Sequence, residues 1–279
     1  MRLGILSGKG GAGKTLVAVN LAVTAGHAAY VDCDVEEPNG RLFLQPEEVI
    51  CQEVSAPLPA FDAASCIGCR KCVDFCRFHA LVFVKGVPMV FPEVCHACGG
   101  CAAVCPAGAV RETGRPVGSV ECGHRDGVTV VTGILNLGEA SGIPVIRAAQ
   151  QTGIDSGEDL TIMDCPPGSA CSVMECVEKC DQCLLVAEPT AFGFHNFKMV
   201  YELTRLLEKP CGVVINKMDS PYEPLEQFCR EHGIPVLMRI PFRRRLAELA
   251  AQGRIVCLED DEAADMFREL LSRLKGGAV

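Results

Sequence analysis

Eight cysteines fall into two runs of one spacing, CIGCRKCVDFC at 66–76 and CHACGGCAAVC at 95–105, each reading CxxCxxCxxxC. Three closely spaced thiolates can cap three irons of a cubane only if the chain coils tightly around it. Gly68, Gly99, Gly100 and Ala102 are small or flexible enough to allow that approach. Zinc also accepts thiolates, but its usual sites take four ligands in paired CxxC knuckles, not two four-cysteine runs of this spacing. A second constellation stands at the N-terminus, where SGKGGAGKT at 7–15 fits GxxxxGK[ST] from Gly8 to Thr15. In such a loop the backbone around Gly8, Gly10, Gly11, Ala12 and Gly13 surrounds phosphate oxygens, and the helix opening with Lys14, Thr15 and Leu16 adds its positive end. Lys14 then holds the terminal phosphates and Thr15 ligates magnesium.

Both constellations need a frame. Residues 2–6 (RLGIL) form an apolar strand that runs into the glycine loop, residues 14–25 an apolar helix, and residues 28–32 (AAYVD) a second strand. Further apolar strands ending in polar residues stand at 160–164, 183–187, 212–216 and 235–240, separated by stretches that can hold helices. This alternation predicts a mostly parallel, doubly wound α/β sheet covered on both faces. Between 58 and 115 the texture changes to cysteine, proline and glycine, with one short hairpin pattern at 81–91. The expected organisation is a first part of a nucleotidase domain at 1–57, an inserted α+β module at 58–115, and the second part at 116–279. The echo between the two cysteine runs reads as duplication of one binding unit.

With 279 residues and 49% hydrophobic content the chain can bury a full core. The opening MRLGILSGKGG lacks the sections of a signal peptide, so the nineteen cysteines are expected to stay reduced, in the cytoplasm. No apolar run reaches the roughly 20 residues of a spanning helix. The formal net charge of -9 becomes roughly -13 if two oxidised four-thiolate clusters add about -2 each, a balance that excludes a general nucleic-acid binder.

The second cysteine run is followed by Pro106, and the two together resemble bacterial ferredoxins carrying two 4Fe-4S clusters. In that pattern the fourth cysteine of each run serves the other cluster. The resemblance implies one cluster on Cys66, Cys69, Cys72 and Cys105, and another on Cys95, Cys98, Cys101 and Cys76. Arg77, where the pattern has proline, is a local departure.

The second lysine of KGGxGKT, Lys9, resembles the signature of the MinD/ParA, nitrogenase iron protein and Mrp families, where it reaches across a nucleotide-bound dimer to the partner's phosphates. DCDVEEPN at 32–39 resembles the first switch of these families, with Asp34 in the place of the carboxylate that orients attacking water. DCPPG at 164–168 resembles the second, with Asp164 helping to hold magnesium through its water shell and Gly168 offering its amide to the terminal phosphate. Asn216 of INKMD stands where the superfamily sets an asparagine against the base. NKxD also resembles the guanine-reading element of GTPases, so ATP, which the MinD-type loop favours, and GTP both stay open. Cys171, seven positions after Asp164, matches a cysteine that holds the intersubunit cluster of the nitrogenase iron protein, with Cys122 a loose partner. Cys180 and Cys183 form a CxxC that enters a strand. EPTAFGFH at 188–195 and IPFRRRLAELAAQG at 240–253 resemble MinD-superfamily ATPases with an inserted ferredoxin domain, and this likeness covers nearly the whole chain.

The resemblance implies an iron-sulfur ATPase in which nucleotide-dependent closure of a homodimer, or of a heterodimer with a related ATPase, gates electron transfer between two clusters and a redox partner protein. The alternatives are a positioning switch of the cell-division and partition kind and a cluster assembly or carrier ATPase. A positioning switch needs a basic or membrane-seeking helix. The apolar stripe of the last helix, Met266, Phe267, Leu270, Leu271 and Leu274, reads instead as core packing.

Overall fold

Arg2–Leu6 (β1) leads straight into the glycine loop and the helix Lys14–Ala25 in the computed structural model, which describes residues 1–277. The strands that follow are β2 (Ala28–Asp32), β3 (Glu47–Phe61), β4 (Leu81–Val84), β5 (Val87–Val90), β6 (Val110–Arg125) and β7 (Val128–Leu135). After them come β8 (Thr161–Asp164), β9 (Gln182–Ala187), β10 (Cys211–Met218) and β11 (Val236–Pro241). Nine form one sheet in the order β11-β10-β9-β1-β8-β2-β7-β6-β3, and β4 and β5 form an antiparallel hairpin of their own.

From β11 to β7 every neighbouring pair is parallel. Parallel strands are covered on both faces, which is why β2, β8 and β9 are buried at every position. β6 and β7 are joined by Asp126–Gly127, both with positive φ, the signature of a two-residue type I′ turn that sets the two strands antiparallel. The sheet is thus mostly parallel, as expected, with an antiparallel extension that the apolar pattern did not announce.

Register positions the chemistry. Ile5 of β1 pairs with Asp164 of β8, and Asp164 pairs with Asp32 of β2. The glycine loop, the segment after Asp32 and the segment after Asp164 therefore leave the same edge of the sheet side by side. This is the carboxyl edge, where open α/β sheets bind ligands.

By its internal contacts the chain divides into two units, one of residues 1–51, 120–134 and, among the described residues, 146–277, and one of residues 52–119 and 135–145. The first unit has a large apolar core in which the helix Asp261–Lys275 lies against Lys14–Ala25. Phe267, Leu270 and Leu274 are buried there, and Met266 and Leu271 pack against the same core, so the core takes up the stripe of the last helix. In the second unit two short helices, Lys71–Phe75 and Gly100–Ala103, touch so closely that a Cβ on Gly100 would overlap the Phe75 ring. Among the described residues no helix is long and apolar enough to cross a membrane.

Phe267→Ala should leave a cavity between the last helix and Lys14–Ala25 and lower the unfolding free energy of the first unit by about 3–5 kcal/mol. Urea unfolding followed by circular dichroism checks this. A loss below about 1 kcal/mol would show that the helix is not an integral part of the core.

Candidate functional site

The loop after β1 is shaped by backbone conformation and braced by neighbours. Gly13 has φ +98, and a Cβ there would overlap the Asn216 amide, while a Cβ on Gly8 would overlap the backbone of Asn196. Asn216 Nδ2 donates to the Ala12 carbonyl at 2.8 Å, and Lys217 Nζ donates to the Gly11 carbonyl at 2.6 Å. The end of β10 therefore holds the loop in place. Gly10 faces open space. Thr15 is half-buried on the first helical turn, and Leu16 beside it packs on the core.

Gly11, Gly13, Leu16, Asn216 and Lys217 also line a cavity closed by Ile240, Phe242, Leu246, Met266 and Phe267. Its walls are mostly apolar and, among the described residues, include no carboxylate. Asn216 thus borders the space expected for a base, but its amide nitrogen is engaged by the loop. Asp219, the aspartate of the NKxD string, is exposed and does not line the cavity.

Below the loop lies a buried charge network. Lys14 Nζ donates to Asp164 Oδ1 at 2.7 Å and stands 4.0 Å from Asp34 Oδ2. Tyr30, fully buried on β2, donates its hydroxyl to Asp164 Oδ2 at 2.9 Å. Asp32 accepts from the Gly40 amide at 2.8 Å and from the Asp34 amide at 3.2 Å, so it shapes the turn that carries Asp34. Burial disfavours the Lys14 ammonium, but Asp164 more than offsets it and the lysine stays charged, its pKa raised. Burial and the Asp164 charge push Asp32 up to about 7. Burial also pushes Asp34 up to about 6, against the pull of Lys14.

Lys9 points to a different partner. Its ammonium pairs with Glu188 and lies 5.3 Å from the centroid of the Phe192 ring, and Lys217 Nζ donates to the same carboxylate at 2.6 Å. Burial would raise the Glu188 pKa, but hydrogen bonds from Lys217 and Lys9 hold it below the usual carboxylate range. The Gly168 amide donates to the Ser7 carbonyl at 2.9 Å, so contact with a phosphate requires exchange of that bond. Tyr30, Asp32, Glu188 and Lys217 escaped the sequence reading. Glu188 stood within the quoted EPTAFGFH string, and Lys217 within INKMD.

The eight cysteines of the paired runs line two cavities of the second unit. One is bordered by Cys66, Cys69, Cys72 and Cys105 with Phe61, Ile67 and Pro88. The other is bordered by Cys76, Cys95, Cys98 and Cys101 with Phe75, Phe78 and His96. The backbone curls in the same way in both repeats: Gly68 and Arg70 in the first, and Ala97 and Gly99 in the second, have positive φ at equivalent positions. Such curled backbone builds concavities that accept anions. The Ala109 amide lies 3.3 Å from Cys105 Sγ as a donor. Burial pushes the Cys101 thiol up to about 11, so a strongly charged metal centre is needed to make it a thiolate ligand. Among the described residues no three His, Cys, Asp or Glu side chains converge on a single metal-ion position.

All nineteen cysteines are unpaired. Cys171 is exposed at the start of the helix Cys171–Glu178, and Cys122 lines an open cavity with His124, Thr152 and Asp155 that does not include Cys171. Cys180 and Cys183 are buried, and a Cβ on Gly4 would press on the Cys180 sulfur, as expected of thiols used in packing.

A family model for the CobQ/CobB/MinD/ParA nucleotide binding domain matches residues 3–256. An uncharacterised protein of Methanocaldococcus jannaschii is 28% identical over 280 residues, covering 99% of this chain and 96% of its own length. An iron-sulfur cluster carrier protein of Pyrococcus horikoshii is 24% identical over 298 residues, covering 98% of this chain and 85% of its own. Among solved structures, the septum site-determining protein MinD of Pyrococcus horikoshii, complexed with Mg-ADP, matches with a TM-score of 0.59 at 18% identity, over 98% of this chain and 95% of that one. The last is a likeness of fold.

The raised Asp32 and Asp34 give the site a pH signature. Their folded pKa values, about 7 and about 6, lie above the ordinary 3.8, so protonation favours the folded state. That contribution is complete below about pH 4 and is lost as pH rises toward about 7, at up to about 1.4 kcal/mol per pH unit for each group. Asp32→Asn should therefore gain stability relative to the parent chain between about pH 5 and about pH 8, read as urea midpoints. Parallel pH profiles for the two proteins would contradict the assignment.

Proposed function

The chain belongs to the CobQ/CobB/MinD/ParA nucleotide-binding family, and from that premise we propose that it is an ATP hydrolase whose second unit is a ferredoxin-type module for two 4Fe-4S clusters, with nucleotide state governing electron transfer to a redox partner protein. The sorting of the eight cysteines carries this reading. Each cavity gathers three thiols of one run and the fourth of the other, the allocation of a two-cluster ferredoxin. When bound, the clusters supply one-electron chemistry. The chain supplies Cys66, Cys69, Cys72 and Cys105 for one, and Cys95, Cys98, Cys101 and Cys76 for the other.

At the nucleotide site Lys14, which now pairs with Asp164, would hold the terminal phosphates, and Asp164 with Thr15 would hold magnesium, which would neutralise phosphate charge. Asp34, on the turn shaped by Asp32, orients the attacking water. The apolar cavity beside Leu16 suits adenine, since guanine needs a carboxylate for its ring N–H and amino group and no carboxylate lines the walls. Lys9 leaves Glu188 to meet the phosphates of a second protomer, in a homodimer or a heterodimer with a related ATPase.

A carrier reading draws on the likeness to the iron-sulfur cluster carrier protein. It differs in one observable: clusters that leave for an apo-acceptor instead of cycling electrons.

Anaerobically prepared protein should contain about eight irons per chain and hydrolyse ATP in preference to GTP. Lys14→Ala should keep the iron and lose hydrolysis by about 10²-fold or more. Cys72→Ser should keep hydrolysis and fall toward about four irons. Iron content indifferent to Cys72→Ser sinks the cluster assignment, and ATPase activity indifferent to Lys14→Ala sinks the nucleotide assignment.

A further inference from the structure

The two switch carboxylates are joined by a residue that neither motif contains. Tyr30 sits in the middle of β2, between Ala29 and Val31, with its ring and hydroxyl fully buried. The hydroxyl donates to Asp164 Oδ2 at 2.9 Å and lies 3.4 Å from Asp32 Oδ2. The other Asp164 oxygen, Oδ1, faces Lys14. Each oxygen of that carboxylate therefore has one assigned partner, and its plane is fixed.

We propose that Tyr30 is the positioning residue for Asp164, holding its Oδ1 toward the phosphate side and tying that orientation to the turn that carries Asp34. Without the hydroxyl, Asp164 Oδ2 would be buried with no protein donor, and the carboxylate could rotate. The seat for the ring is built in at the start of the short helix Gly40–Leu44. A Cβ on Gly40 would overlap the Tyr30 hydroxyl and ring, and the Gly40 amide donates to Asp32 Oδ2 at 2.8 Å. Gly40 thus admits the ring and binds the carboxylate next to it. Asp32 in turn accepts from the Asp34 amide at 3.2 Å. A continuous chain of contacts runs Lys14, Asp164, Tyr30, Asp32, Asp34. Tyr30 contributes the one hydroxyl in it, and its single proton serves one carboxylate at a time. This role rests on the reading of the loop as a magnesium-nucleotide site.

The test is ADP binding, measured by calorimetry at a series of magnesium concentrations on the full chain. For Tyr30→Phe, affinity without magnesium should be little changed, and the gain in affinity on adding magnesium should shrink about tenfold relative to the parent chain. Gly40→Ala, which keeps the hydroxyl but displaces it, should shrink the gain in the same direction and stands in if Tyr30→Phe does not fold. A full magnesium gain in either folded variant overturns the role of Tyr30. A parent chain that binds ADP with no magnesium gain overturns the underlying magnesium assignment instead, and equal losses with and without magnesium reduce Tyr30 to a packing residue and overturn the inference.

Discussion

A lysine ammonium and an aspartate carboxylate, both buried at the carboxyl edge of a parallel sheet, set the terms for the rest of the first unit. Lys14 and Asp164 lie 2.7 Å apart in surroundings where either charge alone would be strongly disfavoured. Such a pair contributes little net stability, because desolvation offsets much of the attraction, but it is costly to break. It stays in place because β1 and β8 are in register and because the helix after the loop begins at Lys14 itself. A phosphate could take over the lysine only as the aspartate found another partner, and under the proposed function that partner is magnesium. Around this pair the Asn216 and Lys217 braces, the Glu188 latch on Lys9 and the Tyr30 hydroxyl all hold polar groups in fixed directions before any ligand arrives. Sites of this kind act through preorganised charge.

The second unit is built on a different principle. It is small, and Ile67, Phe75, Phe78, Met89 and Phe91 remain exposed in it, so apolar burial supplies only part of its cohesion. Small scaffolds with such thin cores usually rely on a metal or disulfide staple. Among the described residues no disulfide is present, whereas eight thiols line two cavities under one repeated backbone curl. Under the proposed function, cluster binding would contribute directly to the folding of this unit, as in other small metal-dependent domains.

The strand, loop and helix that frame the candidate nucleotide site were legible in the sequence because their signals are local. Strand, glycine loop and helix occupy residues 2–25 without interruption, and their bounds follow from apolar runs and from Gly13 and Gly26. The strands β9 and β10 were equally plain, since strands buried on both faces are near-continuous apolar runs. β3 and β6 were not, because β3 is exposed along most of its length and β6 carries charged residues, so neither shows a run or a clean alternation. The Asp126–Gly127 pair did carry a hairpin signal, and it would have located β6 and β7. Tyr30, Glu188 and the loop-bracing role of Asn216 were out of reach for another reason: each acts through a residue more than a hundred positions away, or through a pairing that only the fold creates. The cysteine repeat lay between these extremes, with its allocation into crossed sets readable only by resemblance.

The most direct measurement is the midpoint potential of the clusters, titrated anaerobically by EPR with Mg-ADP and again with a non-hydrolysable Mg-ATP analogue. If nucleotide state governs electron transfer, the added negative charge and the closed switches should lower the potential by about 60 mV, a tenfold change in the one-electron equilibrium. Identical potentials in the two nucleotide states would contradict the coupling of the two units.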